Sequence, residues 1–140
     1  MNSKVNTSLL EMQLEKERCE KEHLFFTRRF FLPRMGFKFS VNWHHEYIAD
    51  KIDQVISGKV KNLVINVPPG SGKTELLTNL IARGLARNAR SRFLYLSFSQ
   101  SLVEDVSATA RNIVKSVDFQ SLWPVKISTS TDAKSSWKTT

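Results

Sequence analysis

The sequence is poor in cysteine, with Cys19 the single one among 140 residues. One cysteine cannot form an internal disulfide framework, so the chain is not a disulfide-stapled domain, and its composition fits a reducing compartment. The chain also lacks an apolar run of about 18 residues, so no transmembrane helix is predicted. Its N-terminus has no apolar signal segment and carries acids as well as bases, which argues against export or organelle import.

The charge that is present is mostly positive. The formal net charge is +8, and residues 76–140 carry nine Lys or Arg against four Asp or Glu. A basic surface favours nucleic acid or another polyanion as a partner, although an ordinary solvated basic face has the same composition. Both readings apply to the arginines that cluster in one helix and the connection after it: Arg83, Arg87, Arg90 and Arg92.

The most informative stretch runs from Asn62 to Glu75 and reads Asn-Leu-Val-Ile-Asn-Val-Pro-Pro-Gly-Ser-Gly-Lys-Thr-Glu. Its first part is β-prone and almost continuously apolar, which predicts a strand buried on both faces. Pro68 and Pro69 end that strand, and Gly70 and Gly72 allow a tight loop with inward-facing N–H groups. Leucines and an isoleucine at helical spacing follow. This order of elements predicts a phosphate-binding P-loop, although Val67 stands where the usual pattern has glycine.

Each residue of the loop has a predicted role at such a site. Lys73 would reach the β- and γ-phosphates of ATP, the Thr74 hydroxyl would bind Mg²⁺, and backbone amides would wrap the β-phosphate. The predicted nucleotide-binding residues are Pro69, Gly70, Ser71, Gly72, Lys73, Thr74 and Glu75. The alternative is a plain Gly/Pro turn with a surface lysine.

A carboxylate for hydrolysis is missing from the pattern. Hydrolysis of a nucleoside triphosphate needs an acid to hold Mg²⁺, commonly at the end of an apolar strand. The apolar run Phe93–Phe98 ends in Ser99 and Gln100 instead, and Glu75 is best placed to favour the helix dipole. No catalytic residue is therefore assigned, and the sequence predicts nucleotide binding more strongly than hydrolysis.

Local patterns outline the other elements. They predict a helix from a capping box at Ser8 to about Phe31, ended by Pro33, and a short extended segment around Phe39. A second helix spans about Trp43 to Ser57, capped by Asn42. The remaining predictions are the helix after the loop to about Ala86, a strand at 93–98, a helix from a capping box at Ser101 to about Ser116, and a short strand near Trp137. Phe25, Phe26, Phe30 and Phe31 are interpreted as packing residues, with single-stranded nucleic acid as the alternative.

Strand, helix, strand and helix around a P-loop predict an α/β fold. The expected fold class is a P-loop NTPase of the RecA/helicase-like type, with a parallel sheet flanked by helices. Two units are expected, an N-terminal helical segment at 1–32 and an ATPase portion at 33–140.

From about Phe30 onwards the order of features resembles the ATPase half of bacteriophage terminase large subunits. The resemblance rests on Trp43-His44-His45, on the Pro-Pro-Gly-Ser-Gly-Lys-Thr loop, and on Tyr95-Leu-Ser-Phe-Ser-Gln-Ser-Leu102. Leu122-Trp-Pro124 and Trp137-Lys-Thr139 follow in the same order. The chain departs from many relatives in having no arginine within the loop, so no arginine is assigned to the reaction.

The resemblance implies a role in packaging viral DNA. It implies an ATP-dependent, Mg²⁺-dependent motor acting on double-stranded DNA in the host cytoplasm, encoded by a phage or prophage. The implied partners are a terminase small subunit, a portal and procapsid, and further copies in a homo-oligomeric ring, with no membrane. It also implies adenine contacts by Trp43 and His44 and coupling roles for Ser99 and Gln100.

Relatives continue past Trp137 into the Walker B strand, an apolar strand that ends in the acids needed for hydrolysis. The resemblance therefore implies a chain truncated before that strand. In this class, strands from further along the chain lie between the two predicted strands, which would leave both exposed here. Two alternatives stay open: a helicase-like nucleic-acid translocase, and a nucleotide-binding fragment without turnover.

Overall fold

The computed structural model describes the backbone of residues 2–132 and 136–139, and the side chains of residues 7–128 and 136–139. This part of the chain contains six helices followed by two short strands. They are α1 (Asn2–Lys21), α2 (His23–Met35), α3 (Trp43–Ile56), α4 (Lys73–Arg87), α5 (Gln100–Lys115), α6 (Val117–Leu122), β1 (Ile127–Asp132) and β2 (Trp137–Thr139). Among the described helices, none has the length and apolar character needed to cross a bilayer.

The N-terminal region forms two helices where the sequence predicts one. The break falls at Glu22, whose backbone is extended with φ −114° and ψ 111°. The prediction that Pro33 ends the helix was wrong, because Pro33 lies inside α2. Gly36 ends it instead: its φ is 77°, and its N–H donates to Leu32 O. A proline close to the end of a helix removes one hydrogen bond, whereas a left-handed glycine reverses the direction of the backbone.

The main core joins the N-terminal helices to α4, α5 and α6. The Phe26 and Phe30 ring centroids lie 4.6 Å apart, and those of Phe119 and Trp123 lie 5.0 Å apart. The buried members of this cluster are Cys19, Phe26, Phe30, Ala82, Leu85, Ile113, Val114, Phe119, Leu122, Trp123 and Val125. The packing interpretation of the N-terminal phenylalanines is confirmed, because Phe26, Phe30 and Phe31 are buried.

A second, smaller cluster lies between α3 and α4 and supports the chain before the loop. Its buried residues are Ile48, Ile52 and Leu76, against which Leu63, Ile65 and Val67 pack. The alternate residue Val64 points outwards and is 92% exposed. The prediction that this run is buried on both faces was wrong: one face contacts α3 and α4, and the other faces solvent.

The predicted parallel sheet is not formed within the described residues. Segments 62–67 and 93–98 have no strand pairing there, and the pairing that is present joins β1 and β2 antiparallel. Leu94 and Leu96 are 83% and 78% exposed. Both segments therefore combine a strand-forming composition with unpaired backbone. The fold is mainly helical, with β2 at the predicted position near Trp137.

Helix limits around the loop agree with the sequence. Asn42 caps α3 by accepting from Trp43 N at 2.8 Å, and the helix ends one residue before Ser57. The α4 helix ends at Arg87, one residue beyond prediction. For α5 the cap is Ser99, which accepts from Leu102 N at 3.3 Å, two residues before the predicted capping box.

A buried ion pair connects α1, α3 and α4. Arg83 is 1% exposed and donates through Nη1 to Asp53, through Nε to Cys19 O at 2.9 Å, and through Nη2 to Glu20 O at 2.7 Å. Burial lowers the pKa of Arg83, while Asp53 acts in the opposite direction. Neither reading of the basic cluster applies to Arg83, since a buried guanidinium contacts neither DNA nor bulk solvent.

Candidate nucleotide-binding site

The loop before α4 has the geometry of a phosphate cradle. Gly70 has φ 80° and Gly72 has φ 74°, both in the left-handed region that costs other residues about 1–2 kcal/mol. Two such turns on either side of Ser71 fold the backbone tightly before it enters the helix. The loop therefore delivers successive N–H groups to the N-terminus of α4, where an anion is favoured.

The first turn of α4 has N–H groups to offer. Gly72 is the N-cap residue, and it has no side chain that could accept a hydrogen bond from this end of the helix. The first N–H groups of a helix have no partner within the helix, so a ligand or water must satisfy them. The last residue of this first turn, Leu76, is fully buried and so fixes the start of α4 to the core.

The two side chains predicted to bind phosphate and metal belong to the first two residues of α4. Lys73 is half-buried at the first helical position, and Thr74 is exposed beside it. Ser71 adds an unexpected group, since its Oγ is buried and has no hydrogen-bond partner among the described residues. A buried hydroxyl without a partner is costly, so this atom fits a ligand that brings oxygen acceptors. The residues present thus fit a bound nucleotide phosphate.

Mg²⁺ would depend on the phosphates for most of its ligands. Thr74 offers one hydroxyl oxygen, and the described residues contain no cluster of three His, Cys, Asp or Glu side chains that could hold a metal by themselves. Mg²⁺ is commonly bound through one or two protein ligands together with substrate phosphates and water. The exposed Thr74 hydroxyl is compatible with that arrangement.

Glu75 is engaged in contacts within the protein. Its Oε1 forms an ion pair with Arg34 Nη2 and accepts from Asn79 Nδ2 at 2.6 Å. The carboxylate therefore joins α4 to the C-terminal turn of α2. Sequence reasoning missed Arg34 and Asn79; the spacing of four residues between Glu75 and Asn79 could have suggested that contact, but Arg34 has no such signal.

The two histidines lie against the back of the loop. His44 Nε2 is 3.1 Å and His45 Nε2 is 2.9 Å from Ser71 O. His45 Nδ1 also accepts from Asn42 N at 3.0 Å, which completes the cap of α3. Burial, followed by the nearby His44, lowers the pKa of His45, and the bond to Ser71 opposes this shift.

Trp43 has the exposure that a base-stacking residue needs. It is 74% exposed, and its ring meets that of His44 edge-on with centroids 5.9 Å apart. The adenine contacts of Trp43 and His44 stay predictions. His44 is nevertheless already bonded to the loop, whereas Trp43 is not.

The proposed coupling residues lie at the start of α5. Ser99 caps that helix and its Oγ is 2.9 Å from Ser101 Oγ, while Gln100 Nε2 donates to Glu104 Oε1 at 3.0 Å. Both residues are exposed. These local contacts explain the residues as helix-start features, and their coupling role stays a prediction.

The loop, the open helix start, Lys73 and Thr74 have the arrangement expected of a P-loop, and the nucleotide-binding roles of these residues stay predictions. The sequence model of the family described as type III restriction enzyme, res subunit, matches residues 38–139, which include the whole site. The chain belongs to this family, and so to the helicase-like P-loop ATPases, which generally use ATP and Mg²⁺. No curated protein and no solved structure matches the chain.

Proposed function

We propose that this chain is the ATP-binding part of a motor that moves double-stranded DNA, of the kind that packages viral genomes into procapsids. Nucleotide binding is supported by the uncapped N-terminus of α4, which follows two glycines in the left-handed region. The buried Ser71 hydroxyl, which has no hydrogen-bond partner among the described residues, lies two residues before Lys73. A site that offers backbone N–H groups, a hydroxyl and a lysine matches a polyphosphate better than an uncharged ligand.

The DNA motor is supported by the family and by the motifs. Helicase-like P-loop ATPases form the family to which the chain belongs. Packaging in particular rests on the terminase-like segments at Trp43-His44-His45, at the Pro-Pro loop and at Tyr95–Leu102. A DNA translocase that serves a restriction-type enzyme is the second candidate, because the matching family is named for one.

Each loop residue has a defined part in this proposal. The amides of Gly70 to Lys73 bind the β-phosphate, Lys73 neutralises the β- and γ-oxygens, and the Thr74 hydroxyl is a ligand of Mg²⁺. Because Glu75 is held by Arg34 and Asn79, it orders the helix start and does not activate water. The acid that hydrolysis requires is proposed to lie outside the described residues, so this chain binds nucleotide without appreciable turnover of its own.

The first test measures nucleotide binding. We expect Lys73→Ala to weaken the binding of a fluorescent ATP analogue with Mg²⁺ by about 10- to 150-fold, the equivalent of one lost charge-assisted hydrogen bond. Far-UV circular dichroism should be unchanged. The matched control is Lys61→Ala, which removes an exposed lysine on the approach to the loop and should bind like the wild type. Equal binding by Lys73→Ala would contradict the P-loop assignment.

The second test concerns DNA. Anisotropy of labelled duplex and single-stranded oligonucleotides of equal length, measured over a series of salt concentrations, gives the preferred strand state and the number of phosphates contacted. Preference for duplex supports a packaging or restriction-type motor, and preference for single strands supports a strand-separating helicase. Phosphate release by the purified chain, with or without DNA, would contradict the proposal that turnover needs further residues.

A further inference from the structure

One backbone carbonyl in the loop accepts from two adjacent histidines. His44 and His45 approach Ser71 O to 3.1 Å and 2.9 Å, and their ring centroids are 3.9 Å apart. A carbonyl oxygen has two lone pairs and can accept both bonds. Both lone pairs of the Ser71 carbonyl oxygen are therefore used by side chains of α3.

The direction of both bonds follows from chemistry. Asn42 N–H donates to His45 Nδ1 at 3.0 Å, so Nδ1 is the bare nitrogen of that ring and Nε2 bears the proton. Ser71 O can only accept, so His44 must also donate through Nε2. Burial lowers the pKa of His45, which favours the neutral ring that this arrangement needs.

The peptide that carries this carbonyl also carries the N–H of Gly72. The peptide is trans, so the Gly72 N–H points away from the Ser71 carbonyl and hence away from the histidines. Two donors on one carbonyl fix the orientation of the peptide plane. They also polarise the amide, since hydrogen bonds in series strengthen one another, and so make its N–H a better donor.

Close packing holds His45 in register with the loop. A Cβ placed on Gly72 would lie 2.7 Å from His45 Nε2 and 3.4 Å from Phe39 Cζ. The Phe39 ring meets the His45 ring nearly edge-on, with centroids 4.8 Å apart. Gly72 is thus required both by its backbone angle and by the approach of His45 to the loop.

We propose that His44 and His45 are positioning residues that hold the Ser71–Gly72 peptide with its N–H turned toward a bound polyphosphate and strengthen that N–H as a donor. This inference rests on the proposed nucleotide site. It gives the histidines a function that does not depend on the adenine base of the nucleotide. Trp43, which is exposed, is then the residue whose ring is available to contact adenine.

Two substitutions at the same position separate the bond to Ser71 from the cap of α3. His45→Gln places an N–H near the position of Nε2 and keeps the bond to Ser71. His45→Asn places an oxygen near the position of Nδ1 and keeps the bond from Asn42 N, but it cannot reach Ser71. We expect His45→Gln to bind nucleotide like the wild type and His45→Asn to bind about 2- to 10-fold more weakly, the range for one net hydrogen bond. His44→Ala should fall in the same range.

The probe that isolates the phosphates is inorganic tripolyphosphate with Mg²⁺, which competes for the site without a base. His44→Ala and His45→Asn should weaken tripolyphosphate and ATP by the same factor, whereas Trp43→Ala should weaken ATP alone. Loss confined to ATP would overturn the inference in favour of an adenine contact, and unchanged affinity for both ligands would overturn it outright. Equal losses in His45→Gln and His45→Asn would also overturn it, because capping or packing would then explain the effect.

A spectroscopic measurement reads the amide itself. The Gly72 amide proton should move upfield in His44→Ala and His45→Asn relative to the wild type and His45→Gln, because a less polarised N–H is less deshielded. An unmoved Gly72 resonance would contradict the polarisation. If the wild type binds neither ATP nor tripolyphosphate, the proposed function itself fails, whereas wild-type binding together with unaffected histidine variants defeats this inference alone.

Discussion

Replacing Arg83 by leucine tests the buried connection between α1, α3 and α4. The guanidinium is 1% exposed and bonds to the Asp53 carboxylate and to the carbonyls of Cys19 and Glu20. Leucine fills part of the space but donates no hydrogen bond. Asp53 would keep its bond from His23 N at 3.1 Å and would lose the charge that balances it.

The expected loss is large on the scale of domain stability. Removing one partner of a buried ion pair costs about 3–5 kcal/mol, because the other charge and its neighbours lose their compensation. The Asp53 side chain is 30% exposed, so water recovers part of this loss, and the lower end of the range is expected. A stable domain has about 5–15 kcal/mol in total, so Arg83→Leu should remove a substantial fraction.

Urea unfolding followed by circular dichroism measures the effect. With a slope of about 1–3 kcal/mol per molar urea, the midpoint should fall by at least about 1 M. The matched control is Arg87→Leu, an exposed arginine one turn further along α4, which should change the free energy of unfolding by less than about 0.5 kcal/mol. Asp53→Asn should destabilise as well, and the double variant should lose less than the sum of the two. Equal midpoints for Arg83→Leu and Arg87→Leu would refute the structural role of this pair.

Two further predictions concern stability. Burial, together with the charge of Arg83, lowers the pKa of His23 from 6.5 to about 3, so the unfolded chain takes up a proton below pH 6.5 that the folded chain does not. Stability should therefore fall by about 2 kcal/mol from pH 7 to pH 5, and His23→Gln, which keeps a donor for Leu76 O, should remove that part of the pH dependence; an unchanged dependence would contradict the burial of His23. A Cβ on Gly84 would lie 2.2 Å from Phe93 Cζ. In Gly84→Ala the new methyl group would force the Phe93 ring away, and this cost should cancel the stability that alanine normally adds to a helix. In a Phe93→Ala background the same change should stabilise by about 1 kcal/mol, and an equal effect in both backgrounds would show that the ring does not contact the helix.

Most features that local chemistry decides were predictable from the sequence, and the end of α2 is an exception. Asn42 and Gly36 show the contrast: the first was identified as a helix cap, whereas the stop was assigned to Pro33 when the left-handed glycine three residues later ends α2. The loop from Gly70 to Lys73 was found because glycine, lysine and flanking elements occur in a fixed order. Each of these depends on residues within a few positions of one another.

Features that depend on distant residues were missed. Arg83 looked like a surface member of a basic cluster, and only its partners on α1 and α3 show that it is buried. The contact of Arg34 with Glu75 crosses 41 positions. The two segments predicted as strands have the right composition, yet strand pairing depends on which backbone lies alongside, and composition does not specify that neighbour.

Because the N-terminus of α4 has no side-chain cap, a ligand bound there would act as the cap of the helix. Because Gly72 brings no side-chain cap from the described residues, phosphate oxygens in the proposed site would serve as the missing cap and would stabilise the folded state. Binding and folding would then be thermodynamically linked, with about 2.7 kcal/mol added at a free ligand concentration one hundred times Kd. The melting temperature of this chain would consequently report the nucleotide concentration, so that its heat resistance becomes a measure of its occupancy.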